Sequence, residues 1–296
     1  MKMVYKLVGF AALLATATVA TAKPNTSWVE SFSLNPATYT MSITLPKDAP
    51  AQYQSYLRPT SLRGTLRYRF AISLGGKQVR VRISNELGTT PLKIGGASIA
   101  LAGEEMTALP GTMRALTFGG KADFTVPAGA RLLSDPVDLD VPATAELVAS
   151  VFVGSDLQSS PLSGIQMMRV DGNAVSDIDL LGAKPVMGRP IVSGVLVAAD
   201  KPRPVIVAFG DSISDGGRGK PIEPHGWADV LARRFVAANK NVAVVSAGIG
   251  GNRVLRDGWG PSALARFDRD VLSVAGDCKD GFHVGGSFRE RCGEAE

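Results

Sequence analysis

Residues 205–214 have the sequence VIVAFGDSIS, and this stretch decides how the C-terminal part of the chain folds. Residues 205–209 form an unbroken apolar run between Pro204 and Gly210. A continuous apolar run of this length is typical of a central strand that is buried on both faces, as in a parallel sheet. We therefore predict a buried strand at 205–209 that ends in a glycine-containing turn.

A helix, a second strand and a second helix are predicted downstream of this turn. The apolar residues recur at helical spacing, at Trp227, Val230, Leu231 and Phe235 in the first helix and at Leu264, Phe267 and Val271 in the second. The apolar run 242–245 between them predicts another buried strand, and Pro261 suits the first turn of the second helix. This order of elements is the beginning of a parallel α/β unit.

The α/β pattern stops after Ala275. The sequence continues with GDCKDGFHVGG at 276–286 instead of a third apolar strand, and it stays polar to its end. Two strand–helix units cannot cover a parallel sheet on both faces. We therefore expect a partial α/β domain at 201–275 and an atypical tail at 276–296, produced by a gene truncation or a change of reading frame near Ala275.

The preceding region, 23–200, is predicted to be an all-β sandwich. Apolar residues alternate with other residues at 66–72 and at 79–83, on the two sides of Gly75-Gly76. Period-two alternation around a Gly-Gly turn predicts a β-hairpin with one buried face and one wet face. Further short runs with β character, separated by Gly or Pro, lie at 97–101, 116–118, 124–126, 137–141 and 146–153. Many short strands at this spacing favour a sandwich.

Four arginines, Arg67, Arg69, Arg80 and Arg82, fall on the predicted wet face of this hairpin. We expect a solvated outer face, on which the aliphatic stems of the arginines lie along the sheet. A polyanion-binding face is the alternative.

The first 22 residues have the features of a secretory signal peptide. Lys2 and Lys6 form a charged start, the apolar stretch 7–19 follows, and residues 20–22 form an A-x-A cleavage site. The apolar stretch is too short to span a bilayer comfortably, and an uncleaved anchor is the alternative. Cleavage would give a secreted or periplasmic protein without stable membrane insertion.

Composition excludes several classes of function. The 296 residues are 45% hydrophobic and 20% charged, which is ordinary for a globular protein. The net charge is +5, but the sequence contains no run of five basic residues, so there is little support for nucleic-acid binding. With only two histidines, His225 and His283, and no C-x-x-C or H-E-x-x-H motif, we expect no metal and no organic cofactor. Cys278 and Cys292 could form a disulfide in an exporting compartment.

Ser212 is the candidate nucleophile. It lies just beyond the carboxyl end of the predicted strand, where sites form in open α/β sheets. A serine on such a turn can present its hydroxyl to substrate while a backbone N–H stabilises an oxyanion. An ordinary capped turn is the alternative, and the G-x-S-x-G, P-loop and G-x-G-x-x-G patterns do not match. The loop 246–253, SAGIGGNR, ends the next strand and is expected beside Ser212, where its glycines let backbone N–H groups approach a ligand.

Together these blocks resemble the SGNH hydrolases, also called GDSL esterases and lipases. FGDS at 209–212 matches the first block of that family and SAGIGGNR at 246–253 the second. The helices beginning near 225 and 261 also resemble the family, and WVES at 28–31 and RISNELG at 82–88 resemble the accessory domain of its secreted two-domain branch. The resemblance covers residues 28–275. It implies a three-layer, flavodoxin-like α/β domain beside a jelly-roll-like sandwich.

The resemblance also implies a mechanism. Ser212 would attack an ester carbonyl, and the backbone N–H groups of Ser212 and Gly251 would form the oxyanion hole. In the family a Gly-x-Asn-Asp block supplies a third donor and an Asp-x-x-His block supplies the base, which a serine nucleophile needs. No Gly-x-Asn-Asp follows Gly251 here. The one Asp-x-x-His, Asp280 to His283, comes much sooner than in the family, and it is either a working dyad or a chance match in the tail; His225 has no assigned partner.

The sequence thus predicts a secreted serine ester hydrolase, impaired in this chain, that acts on a small-molecule or polysaccharide ester such as an acetylated carbohydrate. The alternative is a carbohydrate-binding sandwich with a vestigial, inactive hydrolase domain. A flavodoxin-like nucleotide binder ranks last, because the chain has neither a phosphate-loop fingerprint nor an acidic ribose partner.

Overall fold

The computed structural model describes residues 26–37, 48, 60–160, 165–215 and 226–276. In chain order the strands are β1 (Ser27–Ser33), β2 (Thr60–Ala71), β3 (Gly76–Ser84), β4 (Leu92–Leu101), β5 (Arg114–Ala115), β6 (Phe124–Val126), β7 (Arg131–Leu133), β8 (Val137–Val141), β9 (Glu146–Ser159), β10 (Gln166–Val170), β11 (Lys184–Pro185), β12 (Val192–Ala199), β13 (Val205–Gly210) and β14 (Ala243–Gly248). The helices are α1 (Ser212–Asp215), α2 (Trp227–Ala237) and α3 (Ala263–Phe267), and a π-helical turn at Asp268–Leu272 follows α3 directly.

Two antiparallel sheets form a sandwich. One has the strand order β1-β12-β3-β7, with β8 also paired to β3, and the other has the order β11-β10-β2-β9-β4-β5, with β6 also paired to β4. Side chains alternate between the two faces of a strand. Leu66 and Tyr68 of β2, like Val79 and Val81 of β3, therefore point into the shared core, where all four are fully buried. The predicted N-terminal β-sandwich is confirmed among the described residues.

The predicted hairpin around Gly75-Gly76 is wrong, because β2 and β3 lie in different sheets. Each strand already has partners along both edges: β2 pairs with β9 and β10, and β3 pairs with β12 on one side and with β7 and β8 on the other. The turn between them crosses from one sheet to the other. Ser31 holds this crossing, since its hydroxyl accepts the backbone N–H groups of Ser73 and Leu74 at 3.0 and 2.8 Å.

The predicted solvated arginine face is also wrong for Arg67 and Arg69, which are 0% and 5% exposed. Loops cover this side of the seven-stranded sheet, and the arginines donate to their backbone carbonyls. Arg67 donates to the carbonyls of Met106 and Ile178 at 3.2 and 2.9 Å, and to the Ser150 hydroxyl at 2.8 Å.

The two arginines of β3 are half-buried rather than solvated. Arg80 donates to the carbonyl of Ser134 at 2.7 Å and lies over the ring of Trp28. Arg82 forms an ion pair with the buried carboxylate of Glu30. The described contacts of all four arginines are therefore with the protein itself.

The strands predicted at 205–209 and 242–245 are present as β13 and β14, which form a two-stranded parallel sheet. Their register places Gly210 opposite Gly248. Parallel strands in register end at the same edge of a sheet, so the loops that follow β13 and β14 are neighbours.

Helix α2 begins at Trp227 and packs on this sheet through Ala228 and Ala232, which are buried. Small residues at these positions allow a close approach of helix and sheet. The prediction that Val230 belongs to the buried stripe is wrong, because Val230 is 37% exposed on the other side of the helix.

Helix α3 begins at Ala263, and its N-cap is Ser262, whose hydroxyl accepts the N–H of Ala265 at 3.3 Å. Pro261 therefore precedes the cap rather than occupying the first turn. Leu264, predicted in the apolar stripe, is 71% exposed, because it points away from the core that receives the other stripe residues.

The sandwich and the α/β unit share one apolar core. Val29 of the sandwich and Val207, Phe209 and Val245 of the parallel sheet belong to the same buried cluster. The backbone N–H of Glu30 also donates to the carbonyl of Ala275 at 2.8 Å. Within the ranges given above, no helix is long and apolar enough to cross a membrane.

Candidate active site

Ser212 is the first residue of α1 and follows β13 after a single intervening residue, Asp211. Asp211 is buried and its carboxylate accepts the N–H of Ile213 at 3.0 Å, while its carbonyl accepts the N–H groups of Ser214 and Asp215 at 3.1 and 2.8 Å. These bonds close the turn. The side chain of Ser212 is left exposed at the edge of the sheet.

The loop after β14 turns sharply at Gly251. Gly251 has a φ of 70°, a left-handed conformation that favours glycine, and the N–H of Asn252 bonds back to the carbonyl of Ile249 at 3.0 Å. A Cβ on Gly251 would lie 2.8 Å from Cδ1 of Trp259. Glycine therefore satisfies both the backbone conformation and the close approach of the indole ring.

The two loops are in direct contact through Gly248. A Cβ added there would lie only 2.0 Å from the backbone nitrogen of Asp215, so helix α1 packs against the bare backbone at the end of β14. The N–H of Ile249 also donates to the carbonyl of Gly210 at 3.1 Å. The structure thus brings the predicted nucleophile loop and the predicted oxyanion loop side by side.

A buried arginine on α3 lies beneath both strand ends. Arg266 donates to the carbonyl of Gly210 at 2.9 Å and to that of Ala247 at 2.6 Å, and its Nε donates to Oδ1 of Asn252 at 3.0 Å. It also pairs with Asp270 at 2.9 Å. Burial lowers the pKa of Arg266 and Asp270 opposes that shift, but an arginine pKa starts so high that the group stays charged.

A second arginine reaches the site from the sandwich side of the chain. Nη1 of Arg189 lies 2.9 and 3.0 Å from the two carboxylate oxygens of Asp215, and Nη2 donates to the carbonyl of Gly248 at 3.1 Å. Sequence reasoning missed Arg189 and Arg266. No motif marks Arg189, and the only signal for Arg266 is an arginine beside the apolar residue Phe267 in a short amphipathic helix.

Several sequence predictions lie outside the described residues. These are the signal peptide at 1–22, His225, the Asp280–His283 pair and the Cys278–Cys292 disulfide. Among the residues that the structure does describe, no group of three or more His, Cys, Asp or Glu side chains could hold a metal ion. The described part of the site therefore consists of a serine hydroxyl, a glycine-rich loop and the two arginines that brace them.

Comparison with known proteins gives one family match and several structural likenesses. Residues 206–284 match the family model described as GDSL-like Lipase/Acylhydrolase. This match includes Ser212, Gly251, Asp280 and His283. No curated protein matches the chain.

Three solved structures are similar to the chain, and all three are carbohydrate-active esterases by their descriptions. An active-site mutant of a family two carbohydrate esterase from Clostridium thermocellum is 14% identical with a TM-score of 0.21, and the alignment covers 75% of this chain and 57% of that one. A family two carbohydrate esterase from Cellvibrio japonicus is 12% identical with a TM-score of 0.19, covering 86% and 64%. An acetyl xylan esterase from Butyrivibrio proteoclasticus is 12% identical with a TM-score of 0.18, covering 80% and 53%. The alignments thus span less than two thirds of the length of each of these structures.

Proposed function

We propose that this chain, a member of the GDSL-like lipase/acylhydrolase family through residues 206–284, is an exported ester hydrolase that uses Ser212 as its nucleophile. The observation that supports this most directly is the position of Ser212. Its side chain is exposed at the start of α1, at the same sheet edge as the glycine-rich loop after β14. An exposed serine hydroxyl beside backbone N–H groups is the arrangement that acyl transfer needs.

The chemistry follows from this placement. Oγ of Ser212 attacks the ester carbonyl carbon, its proton passes to a base, and the alcohol leaves with a proton from that base. Water then attacks the acyl-enzyme and releases the acid. In our proposal the N–H groups of Ser212 and Gly251 stabilise the oxyanion in both steps.

We propose that turnover is slow. The sequence has no Gly-x-Asn-Asp after Gly251, so a third oxyanion donor of that kind is missing. Removal of one oxyanion-hole donor typically lowers kcat by about 100- to 1000-fold. An acetylated carbohydrate is the substrate to test first, because a β-sandwich packs directly beside the hydrolase unit and could hold an extended sugar chain.

Replacement of the nucleophile tests this proposal. The full chain is assayed with p-nitrophenyl acetate and with acetylated xylan, and labelling by diethyl p-nitrophenyl phosphate is followed by mass spectrometry. Ser212→Ala should abolish hydrolysis and labelling of the peptide that contains residue 212. The matched control, Ser176→Ala, removes an exposed serine of the sandwich and should change neither. Unchanged hydrolysis in Ser212→Ala would exclude Ser212 as the nucleophile.

The alternative function, carbohydrate binding by the sandwich, has one observation in its favour. An open groove of about 760 Å³ is lined by Phe118 and Phe124, whose ring centroids are 3.9 Å apart, and by Lys121 and Asp123. Phe118 is buried in the core, and the half-buried ring of Phe124 gives the groove an apolar surface with polar side chains at its margin, which suits a sugar. Retention of Ser212→Ala on a polysaccharide, together with no hydrolysis by the unmodified chain, would favour this function.

A further inference from the structure

We infer that Arg189, which lies on the sandwich side of the chain, is a positioning residue for the ester-hydrolase site. It fixes helix α1, which begins at Ser212, relative to the glycine-rich loop that contains Gly251. This inference rests on the proposed function and deepens it, because it makes the sandwich part of the machinery rather than an accessory.

The guanidinium of Arg189 joins three separate segments of the chain. Its Nε donates to the carbonyl of Asn35 at 2.7 Å, next to β1. Its Nη1 faces both carboxylate oxygens of Asp215, and its Nη2 donates to the carbonyl of Gly248. The Arg189 side chain is 3% exposed, so these bonds form away from solvent and are screened very little.

Arg189 is itself held rigidly by the sandwich. Its backbone N–H donates to the carbonyl of Ser160 at 2.8 Å, and its carbonyl accepts the hydroxyl of Ser159 at 2.9 Å. Ser159 ends β9, a central strand of the seven-stranded sheet. The sandwich therefore holds the guanidinium in place, and the guanidinium in turn positions α1 and the loop after β14.

Asp215 passes this constraint to the second loop. Oδ2 of Asp215, one of the two carboxylate oxygens that Arg189 contacts, also accepts the backbone N–H of Gly250 at 3.1 Å. Asp215 is the last residue of α1, and Gly250 directly precedes Gly251. The chain Arg189–Asp215–Gly250 thus sets the spacing between the proposed nucleophile and the proposed oxyanion donor.

The expected effect is on turnover rather than on substrate affinity. Arg189 is buried in contact with Asn35, Asp215 and Gly248, whereas Ser212 is exposed. Loss of the brace lets the two loops shift against each other, and a displacement of about 1 Å between reacting groups can cost about 100-fold in rate. Lysine keeps the charge but lacks the planar fork that reaches two carboxylate oxygens and a carbonyl at once.

The experiment compares Arg189→Lys, Asp215→Asn and the double variant in the full chain. The control is Arg169→Gln, which removes another arginine of the sandwich, whose carboxylate partner Asp171 is 88% exposed. Arg189→Lys should lower kcat for p-nitrophenyl acetate, and the rate of organophosphate labelling, by about 100-fold with KM within threefold. The double variant should be no slower than the slower single variant, because both act through one contact. The control should stay within twofold of the unmodified chain.

Amide hydrogen exchange separates this inference from the proposed function. Arg189→Lys and Asp215→Asn should both speed exchange in residues 248–252 at least tenfold, without changing β2 or β9. If the unmodified chain neither hydrolyses esters nor is labelled at Ser212, the proposed function fails. Hydrogen exchange alone then tests whether Arg189 holds α1 against the glycine-rich loop. Unchanged exchange in both variants, or a folded Arg189→Lys with kcat within threefold of the unmodified chain, would overturn the inference. Asp215→Asn answers the question if Arg189→Lys does not fold.

Discussion

Replacement of Arg266 by methionine should remove a large part of the stability of the protein. Methionine fills a similar volume but cannot donate to the carbonyl of Ala247 or to Oδ1 of Asn252, and each buried acceptor that loses its donor costs about 1–3 kcal/mol. The carbonyl of Gly210 also loses Arg266 but keeps the N–H of Ile249. The side chain of Arg266 is 0% exposed, so we expect no water to replace the hydrogen bonds that it donates. Breaking a buried ion pair typically costs about 3–5 kcal/mol.

A neighbouring arginine limits the stability that is lost when Arg266 is replaced. Arg269 also bonds Asp270, with its Nη2 2.9 Å from Oδ2, so the carboxylate keeps one cationic partner when Arg266 is replaced. We therefore expect the loss of donors to Ala247 and Asn252 to dominate, and the free energy of unfolding to fall by about 3–5 kcal/mol. That is a large fraction of the 5–15 kcal/mol that typically stabilises a protein.

Urea unfolding followed by tryptophan fluorescence measures this difference. Two of the three tryptophans, Trp227 and Trp259, lie in the α/β unit, so most of the signal reports on the region that Arg266 holds together, while Trp28 reports on the sandwich. The matched control is Arg234→Met on the exposed side of α2, which should change stability by less than about 0.5 kcal/mol. A loss below about 1 kcal/mol in Arg266→Met would refute the view that the strand ends depend on this guanidinium.

Three other substitutions test separate parts of the structure. Gly248→Ala should destabilise the protein by about 1–3 kcal/mol, because the new Cβ would collide with the backbone nitrogen of Asp215; an unchanged Tm would contradict this close approach. Burial raises the pKa of Glu30 despite its ion pair with Arg82, so the folded state binds this proton more tightly and stability falls as pH rises above about 4.3. Glu30→Gln should flatten that slope in urea unfolding at pH 5 and pH 7, and equal slopes would count against it. Arg67→Met should lower the free energy of unfolding by about 2 kcal/mol or more, because the carbonyls of Met106 and Asp177 lose their donor, whereas that of Ile178 keeps the N–H of Ala108. A midpoint in urea close to that of the unmodified chain would show that the covering loops do not need the arginine.

The apolar runs and the alternation of the sequence predicted where strands lie, but they did not predict which strands pair with one another. The apolar run at 205–209 gave β13 because burial on both faces requires apolar side chains at every position, which the sequence records directly. The alternation at 66–72 and 79–83 correctly indicated two strands with one face in the core. It could not indicate which strands pair, because alternation shows which face of a strand is buried and does not show which strands are hydrogen-bonded along its edges. The Gly-Gly pair at 75–76 marks a crossing between sheets rather than a hairpin.

The sequence indicated residues of the candidate site only where the proposed chemistry or the backbone conformation requires a particular residue type. Ser212 and Gly251 stood out because the proposed nucleophile needs a hydroxyl and a tight turn needs a glycine. The supports of the site, Arg189 and Arg266, could not be predicted in the same way. Most of their acceptors are backbone carbonyls, which every residue has, so nothing in the partner sequence marks the contact. The burial of Arg67, predicted to be solvated, could not be foreseen for the same reason, because its acceptors are mostly backbone carbonyls.

The single core that joins β1, β13 and β14 has a consequence for how such a protein can change over generations. Val29 and Val245 belong to one cluster, so an exchange of the sandwich for an unrelated module would strip the parallel sheet of packing that it needs. A larger side chain on one side of this boundary requires a smaller one on the other. We therefore expect substitutions at this boundary to be coupled across the two halves, and the loops outside the shared core to tolerate change more readily.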